Sequence, residues 1–258
     1  MLFINTRPAE RAHVLSNYVR DLGIHVLDLP LLELRPIDYS PILAQLYQQL
    51  VFSQVVVVVS PTAAEIGWAY LAKSGLTLAQ VSHLTWIAVG AATAKFLAQK
   101  GIQAVVPTLE NSEGMLSLPI LQQLNMQRVA FWRGEGGRQF MMDALQQRGI
   151  EILNFILYRR YLPENAPVIF KQQHDFFMHC MPKIYVCISS EASWRNWQQL
   201  CHNSRQLLCQ CHYIVLGERL YHLIANAVEW QKEGQIVALA KLTPENVGQY
   251  LLAQEGLA

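Results

Sequence analysis

Five consecutive valines, Val55 to Val59, constrain this chain more than any other stretch. β-branched side chains are stiff and pack well on a pleated surface, and an unbroken apolar run leaves no face for solvent. The segment therefore reads as a strand buried on both sides of a parallel sheet. A parallel partner needs a crossover, usually a helix. The sequence supplies one at once: Ser60-Pro61 sets a capping hydroxyl before a proline at the first helical position, and an apolar pattern runs on through Trp68 and Leu71.

The same grammar recurs from end to end. Strand-like runs are read at Leu2-Ile4, His25-Leu29, Leu84-Val89, Gln103-Val106, Val129-Trp132, Ile184-Ile188, His212-Leu216 and Gln235-Leu239. Between them lie helical patterns. The first has Ala12, Leu15, Val19 and Leu22 on one face and stops at Gly23; others open at Ser40-Pro41 and run from Ala91 to Lys100. Further helices are expected after Asn111-Ser112-Glu113-Gly114 and ending near Leu124, beyond Arg138, and over Val168-Met181, Glu191-Leu200, Glu218-Trp230 and Pro244-Ala253. Strands alternating with helices mean βαβ units, and about nine strands exceed one sheet of ordinary size, so two parallel-sheet α/β domains are expected.

Two stretches break the alternation. Leu31 to Pro36 and Ile156 to Leu162 are extended, apolar and basic, and neither leads directly into a crossover. If they pair with each other, the segment between them is a domain inserted into another; the pattern also allows two domains in sequence. The expected division is 1–36 plus 163–258 as an outer domain and 37–155 as an inserted one, with ladder strands near 31–36 and 156–162.

Open α/β sheets bind ligands at the carboxyl ends of their strands. The turns read there are Thr6-Arg7, Ser60-Pro61-Thr62, Val89-Gly90-Ala91, Arg133 to Arg138, Ser189-Ser190 and Gly217-Glu218. Each hydroxyl taken alone is a helix cap; together the turns describe a cleft lined with donors. In Arg133-Gly134-Glu135-Gly136-Gly137-Arg138, glycines let backbone approach a ligand and two arginines suit carboxylate or phosphate. The stretch reads either as an anion-binding loop or as a Gly-rich turn with solvated arginines. Lys plus Arg number 20 against 19 Asp plus Glu, so no broad basic field for nucleic acid exists and an anion must meet a local cluster.

Sharper motifs fail. The G-x-G-x-x-G begun at Gly134 meets Gln139, no Walker lysine loop is present, and no serine sits in a nucleophile elbow. Cys201, His202, Cys209, Cys211 and His212 contain no C-x-x-C pair and read as thiols and incidental histidines, so no metal site is expected. The cysteines, five in number and all between Cys180 and Cys211, fit reduced thiols in a cytoplasmic protein. The chain opens on strand-like Leu2-Phe3-Ile4 rather than a charged-then-apolar leader, and no apolar run reaches the roughly 18 residues of a membrane span.

An ordered set of short motifs resembles the uroporphyrinogen-III synthase family: Ile4-Asn5-Thr6-Arg7-Pro8, Val59-Ser60-Pro61-Thr62-Ala63-Ala64, Ala88-Val89-Gly90-Ala91-Ala92-Thr93-Ala94 and Asn111-Ser112-Glu113-Gly114-Met115-Leu116. Arg133-Gly134 with Gly137-Arg138, Leu157-Tyr158-Arg159-Arg160, Ser189-Ser190 and Thr243-Pro244-Glu245 continue it to the end of the chain. The resemblance implies two flavodoxin-like parallel-sheet domains, one inserted in the other, joined by a two-stranded β-ladder. It implies a lyase that cyclises hydroxymethylbilane, a linear polycarboxylate tetrapyrrole, to uroporphyrinogen III. Water is lost to give an azafulvene, and a spiro intermediate inverts the last ring. No cofactor or metal is implied. Tyr158 matches a cleft tyrosine proposed to assist departure of the hydroxyl. Arg7, Ser60, Gly90, Arg133, Gly134, Arg138, Ser189, Ser190 and Gly217 are the expected substrate-binding positions, in a cleft between domains that closes on the substrate. A monomer in the cytoplasm is expected, with hand-over of substrate from hydroxymethylbilane synthase. The late loop departs from the pattern: Gly217-Glu218-Arg219-Leu220 stands where the family often has a threonine-alanine pair after the glycine. A non-catalytic two-domain module that clamps a polyanion is the competing reading.

Overall fold

The computed structural model describes residues 1–122, 126–180, 183–227, 235–254 and 256. Leu124, Met181 and Trp230, expected as helix ends, lie outside the described residues. In chain order the strands are β1 (Leu2–Asn5), β2 (His25–Asp28), β3 (Glu33–Pro36), β4 (Val55–Val58), β5 (Thr85–Ala88) and β6 (Ala104–Val105). They continue with β7 (Arg128–Gly134), β8 (Glu151–Tyr161), β9 (Ile184–Ile188), β10 (His212–Leu216) and β11 (Ile236–Leu239). Two compact units result: residues 1–33 with 160–258, and residues 34–159.

The first unit carries the sheet β11-β10-β9-β1-β2, with parallel pairing throughout. Side chains alternate between its faces. Leu2 and Ile4 of β1 join Val186, Ile188, Trp194 and Trp197 on one side; Phe3 joins Tyr185, Cys187, Leu15 and Val19 on the other. The second unit carries β3-β8-β7-β4-β5-β6, in which β8 to β6 pair in parallel. Its valine run behaves as a doubly buried strand should. Val56 and Val58 face Tyr47, Trp86 and Trp132, Val55 and Val57 face Phe131, Met141 and Leu145, and none of the four is exposed to solvent. Burial of each such side chain contributes about 1.5–3 kcal/mol.

The unit boundaries at 33/34 and 159/160 fall inside β3 and β8, which are neighbours in the sheet, and Ile37 N donates to Leu157 O at 2.9 Å. β8 is longer than the extended stretch read from sequence. Its first half is an ordinary parallel strand in register with β7, from Arg128 opposite Glu151 onward. Beyond β6, a short helix Ser112–Leu116 gives way to a 3-10 turn at Pro119–Gln122, because proline cannot continue a helix. A helix at Arg205–Gln210 adds to the elements read from sequence. Among the described residues no helix is long and apolar enough to cross a membrane.

Candidate functional site

In the unit of residues 34–159, three carboxyl-terminal strand ends converge on one phenol. Ser60 follows β4 in extended conformation, and its Oγ accepts from Ala63 N at 3.1 Å, capping helix Pro61–Lys73. The same Oγ lies 3.1 Å from Tyr158 Oη on β8. β7 ends at Gly134, opposite Tyr158 in the ladder, where a register irregularity lies between Arg133 and Gly134. A side chain at 134 would place its Cβ 2.3 Å from Tyr158 Cε2, so only glycine lets the ring lie against the strand. Glu135 N donates to Tyr158 O at 2.8 Å from the other side. Tyr158 is 3% exposed and packs within the core cluster of this unit.

The arginine loop is organised differently from a pair of solvated charges. The strand runs two residues past the apolar stretch read from sequence, so Arg133 belongs to β7 and is 4% exposed. Its Nη2 donates to Gly137 O, and its Nη1 lies 3.3 Å from Met142 Sδ. Arg133 thus braces the loop from inside. Arg138 is outward, with Nη2 donating to Glu113 Oε1 at 2.8 Å and its guanidinium 5.4 Å from the centre of the Phe140 ring. That hydrogen bond to Arg138 holds the Glu113 carboxyl below its usual value.

Gly90 caps helix Ala91–Gln99. The amide of Ala91 donates to Glu110 Oε1 at 3.0 Å, and a Cβ at 90 would meet Glu110 Oε2 at 2.3 Å. A carboxylate of the chain itself therefore sits against the first-turn amides and positive dipole end of this helix, where amides and dipole favour an anion. Neither Glu110 nor the Arg138 partner Glu113 stands out as a site residue from sequence; the available signal is two acidic residues three apart beside a known loop motif.

In the unit of residues 1–33 and 160–258, the β1 and β9 ends are tied together. Thr6, fully buried, donates from Oγ1 to Cys187 O at 2.5 Å. Asn5 Oδ1 accepts from Arg7 N at 3.3 Å, and Arg7 Nη1 donates to Leu242 O at 3.2 Å, so a loop carbonyl holds this guanidinium beside the strand end. Ser189 and Ser190 are half-buried beyond β9. Ser190 Oγ caps helix Glu191–Leu200 through Ser193 N at 3.1 Å. Gly217 starts the helix after β10 with φ of 72°, a left-handed conformation that favours glycine. Within this unit Arg7, Ser189, Ser190 and Gly217 follow strands β1, β9 and β10, adjacent in the sheet.

Among the described residues the Cys and His side chains gather into no such site. Cys187, Cys201, Cys209 and Cys211 are free and buried, and burial pushes the Cys187 thiol up to about 12. Among the described residues no group of three or more His, Cys, Asp or Glu gathers at metal-binding distance.

Comparison with known proteins places this architecture. The family model described as uroporphyrinogen-III synthase HemD matches residues 13–227. The chain belongs to the uroporphyrinogen-III synthase family. It is 28% identical over 240 residues to the uroporphyrinogen-III synthase of Salmonella typhimurium, covering 90% of this chain and 93% of that protein. It is 27% identical over 237 residues to the one of Escherichia coli, with the same coverage. A crystal structure of a mutant uroporphyrinogen III synthase from the extremely thermophilic bacterium Thermus thermophilus superposes with a TM-score of 0.72 over 99% of both chains at 13% identity, which shows the fold. The motif resemblance and the two-domain α/β expectation are thereby upheld, and a binding module without activity is not the reading that these relatives favour. Uroporphyrinogen-III synthases are lyases of tetrapyrrole biosynthesis, and the chain is a lyase of this family.

Proposed function

We propose that the chain converts hydroxymethylbilane to uroporphyrinogen III, with the Ser60–Tyr158 pair at the reacting end of the substrate. The observation that carries the reading is the 3.1 Å contact between Ser60 Oγ and Tyr158 Oη, made possible by Gly134. A phenol held at a strand end can donate a hydrogen bond to a departing hydroxyl. As the C–O bond of the hydroxymethyl group breaks, the oxygen leaves as water with the donated proton, and the pyrrole nitrogen lone pair stabilises the azafulvene. The substituted carbon of the last ring then attacks to form the spiro intermediate, which fragments and recloses with that ring inverted. The final ring closure releases a proton, which restores the phenol.

Because the substrate ionises readily, the protein's larger task is to hold a flexible polycarboxylate in the geometry that leads to the spiro attack. Donors for that task lie on both units: Arg7, Ser189, Ser190 and the backbone at Gly217 on one, Gly90, the Arg133-braced loop and Arg138 on the other. On this reading a substrate carboxylate displaces Glu110 from the Ala91 amide, and another meets Arg138 in competition with Glu113. Arg133 acts through the loop it braces rather than by direct contact. The reading places the enzyme in the cytoplasm as a monomer that takes substrate released by hydroxymethylbilane synthase. The decisive experiment incubates the protein with hydroxymethylbilane and separates the type I and type III isomers. The type I isomer alone, formed at the uncatalysed rate, would leave a binding module.

A further inference from the structure

The unit of residues 1–33 and 160–258 contains an open cleft of about 890 Å³ that the reaction above does not use. It runs between the first half of helix Ala166–Cys180 and the turn that follows helix Glu191–Leu200. That helix starts at Ser190, at the carboxyl end of β9. Since β9 and β10 are parallel, it must run back along the sheet. The turn after Leu200 therefore lies toward the opposite end of the sheet from Arg7, Ser189 and Gly217. Strand-end chemistry does not account for this cleft.

Its lining combines two chemistries. Phe170, Leu162, Pro167 and Leu200 supply an apolar wall; Lys171, His174, His202 and Ser204 supply polar groups, and among the described residues no Asp or Glu side chain lines it. The polar groups are arranged across elements. Ser204 occupies the cap position of helix Arg205–Gln210, yet its hydroxyl makes no cap hydrogen bond and lies 2.7 Å from His174 Nε2. The His174 ring also packs on Phe170, with centroids 5.9 Å apart, and Phe170 stands edge-on to the buried Trp197 at 5.7 Å. The imidazole is thus fixed from two sides. His202 Nδ1 lies 2.9 Å from Gln199 O, which sets the proton on Nδ1 and turns Nε2 into the ring's remaining polar atom. Lys171 and His174, three residues apart on one helix, share a face.

We propose that this cleft is a second ligand site, for a small amphipathic carboxylate: an acidic head on Lys171 and His174, and a hydrocarbon or aromatic body against Phe170, Leu162 and Leu200. The Lys171 side chain, with no carboxylate among the described lining residues, selects a single negative charge over a cation. The apolar wall selects a ligand with a body, which inorganic phosphate lacks. The volume falls within the range of about 300–1,000 Å³ typical of small-molecule sites.

The test uses the whole chain and 1-naphthoate as probe, followed by amide chemical shifts, with naphthalenemethanol (body without charge) and inorganic phosphate (charge without body) as comparison arms. Naphthoate is expected to shift residues 199–204 and 167–174 in one saturable process, and each comparison probe to bind at least about tenfold more weakly, since a charge-assisted hydrogen bond and a buried ring are each worth roughly that factor. Lys171→Gln, a surface change that leaves the packing intact, should weaken naphthoate by about tenfold, and adding His174→Gln should weaken it further. Turnover of hydroxymethylbilane should be unchanged in Lys171→Gln. Equal affinity in the variants, equal binding of the neutral alcohol, or shifts confined to the strand-end loops would overturn the proposal.

Discussion

Ser60 serves two functions that a double-mutant cycle separates. Its hydroxyl caps helix Pro61–Lys73 through Ala63 N and lies 3.1 Å from the Tyr158 phenol. Ser60→Ala removes both. Loss of the cap costs about 1 kcal/mol, and loss of the partner leaves a buried phenol with one contact fewer, about 0.5–1.5 kcal/mol more. Tyr158→Phe keeps the ring against Gly134 and loses the hydroxyl's contact with Ser60, about 0.5–1.5 kcal/mol. The stability losses should therefore fall short of additive by about 1 kcal/mol, the shared contact being counted once. Activity should combine differently. General-acid assistance is worth about 10²–10⁴ in rate, and the lower end is expected for Tyr158→Phe because the substrate also loses water unaided. If Ser60 acts on the reaction by orienting the phenol, Ser60→Ala alone slows turnover by about tenfold and adds nothing in the Tyr158→Phe background. Thermal melts and timed conversion of hydroxymethylbilane, with isomers separated, give both cycles. Multiplicative rate losses, or wild-type turnover and isomer purity in Tyr158→Phe, would refute the shared role.

Three further outcomes are expected. Glu110→Gln removes the resident carboxylate from the Ala91 amide, so KM should fall severalfold with kcat retained, at a stability cost of about 0.3–1 kcal/mol for the lost helix-end charge; a raised KM would show that Glu110 assists binding instead. The Glu113 carboxyl, held down by Arg138, should titrate below 4.5 and return toward that value in Arg138→Gln. Its folded value being depressed, the pair's contribution is present above the unfolded value and fades as pH falls through the folded one, which carbon-detected carboxyl shifts would follow; an unmoved midpoint in Arg138→Gln would refute the pairing. Gly67→Ala would set a Cβ 2.2 Å from the buried Trp132 ring, so melting should report a loss of about 1–3 kcal/mol despite alanine's better helix propensity; an unchanged or raised melting temperature would contradict it.

The alternating architecture was legible because local rules dominate it. The Val55–Val59 run and the Ser60-Pro61 start need no tertiary knowledge, and both capping serines at 60 and 190 act as their sequence context implies. The site was legible only as separate strand ends. Ser60 and Tyr158 meet across 98 residues of chain, a proximity that no periodicity encodes. Arg133 reads from sequence as a loop arginine, either anion-binding or solvated; the strand continues past it, and its guanidinium turns into the loop. Glu110 shows in sequence only as an acidic residue three before Glu113, since a carboxylate that meets the first amide of a helix 19 residues before it leaves no local trace of that contact. The helix at Arg205–Gln210 is invisible to periodicity because its six residues span too few turns to show one.

The proposed synthase activity stands or falls on the fate of hydroxymethylbilane. Purified protein at substoichiometric concentration should consume it much faster than buffer does and yield the type III isomer almost alone. A mixture dominated by the type I isomer, formed no faster than without protein, would contradict it.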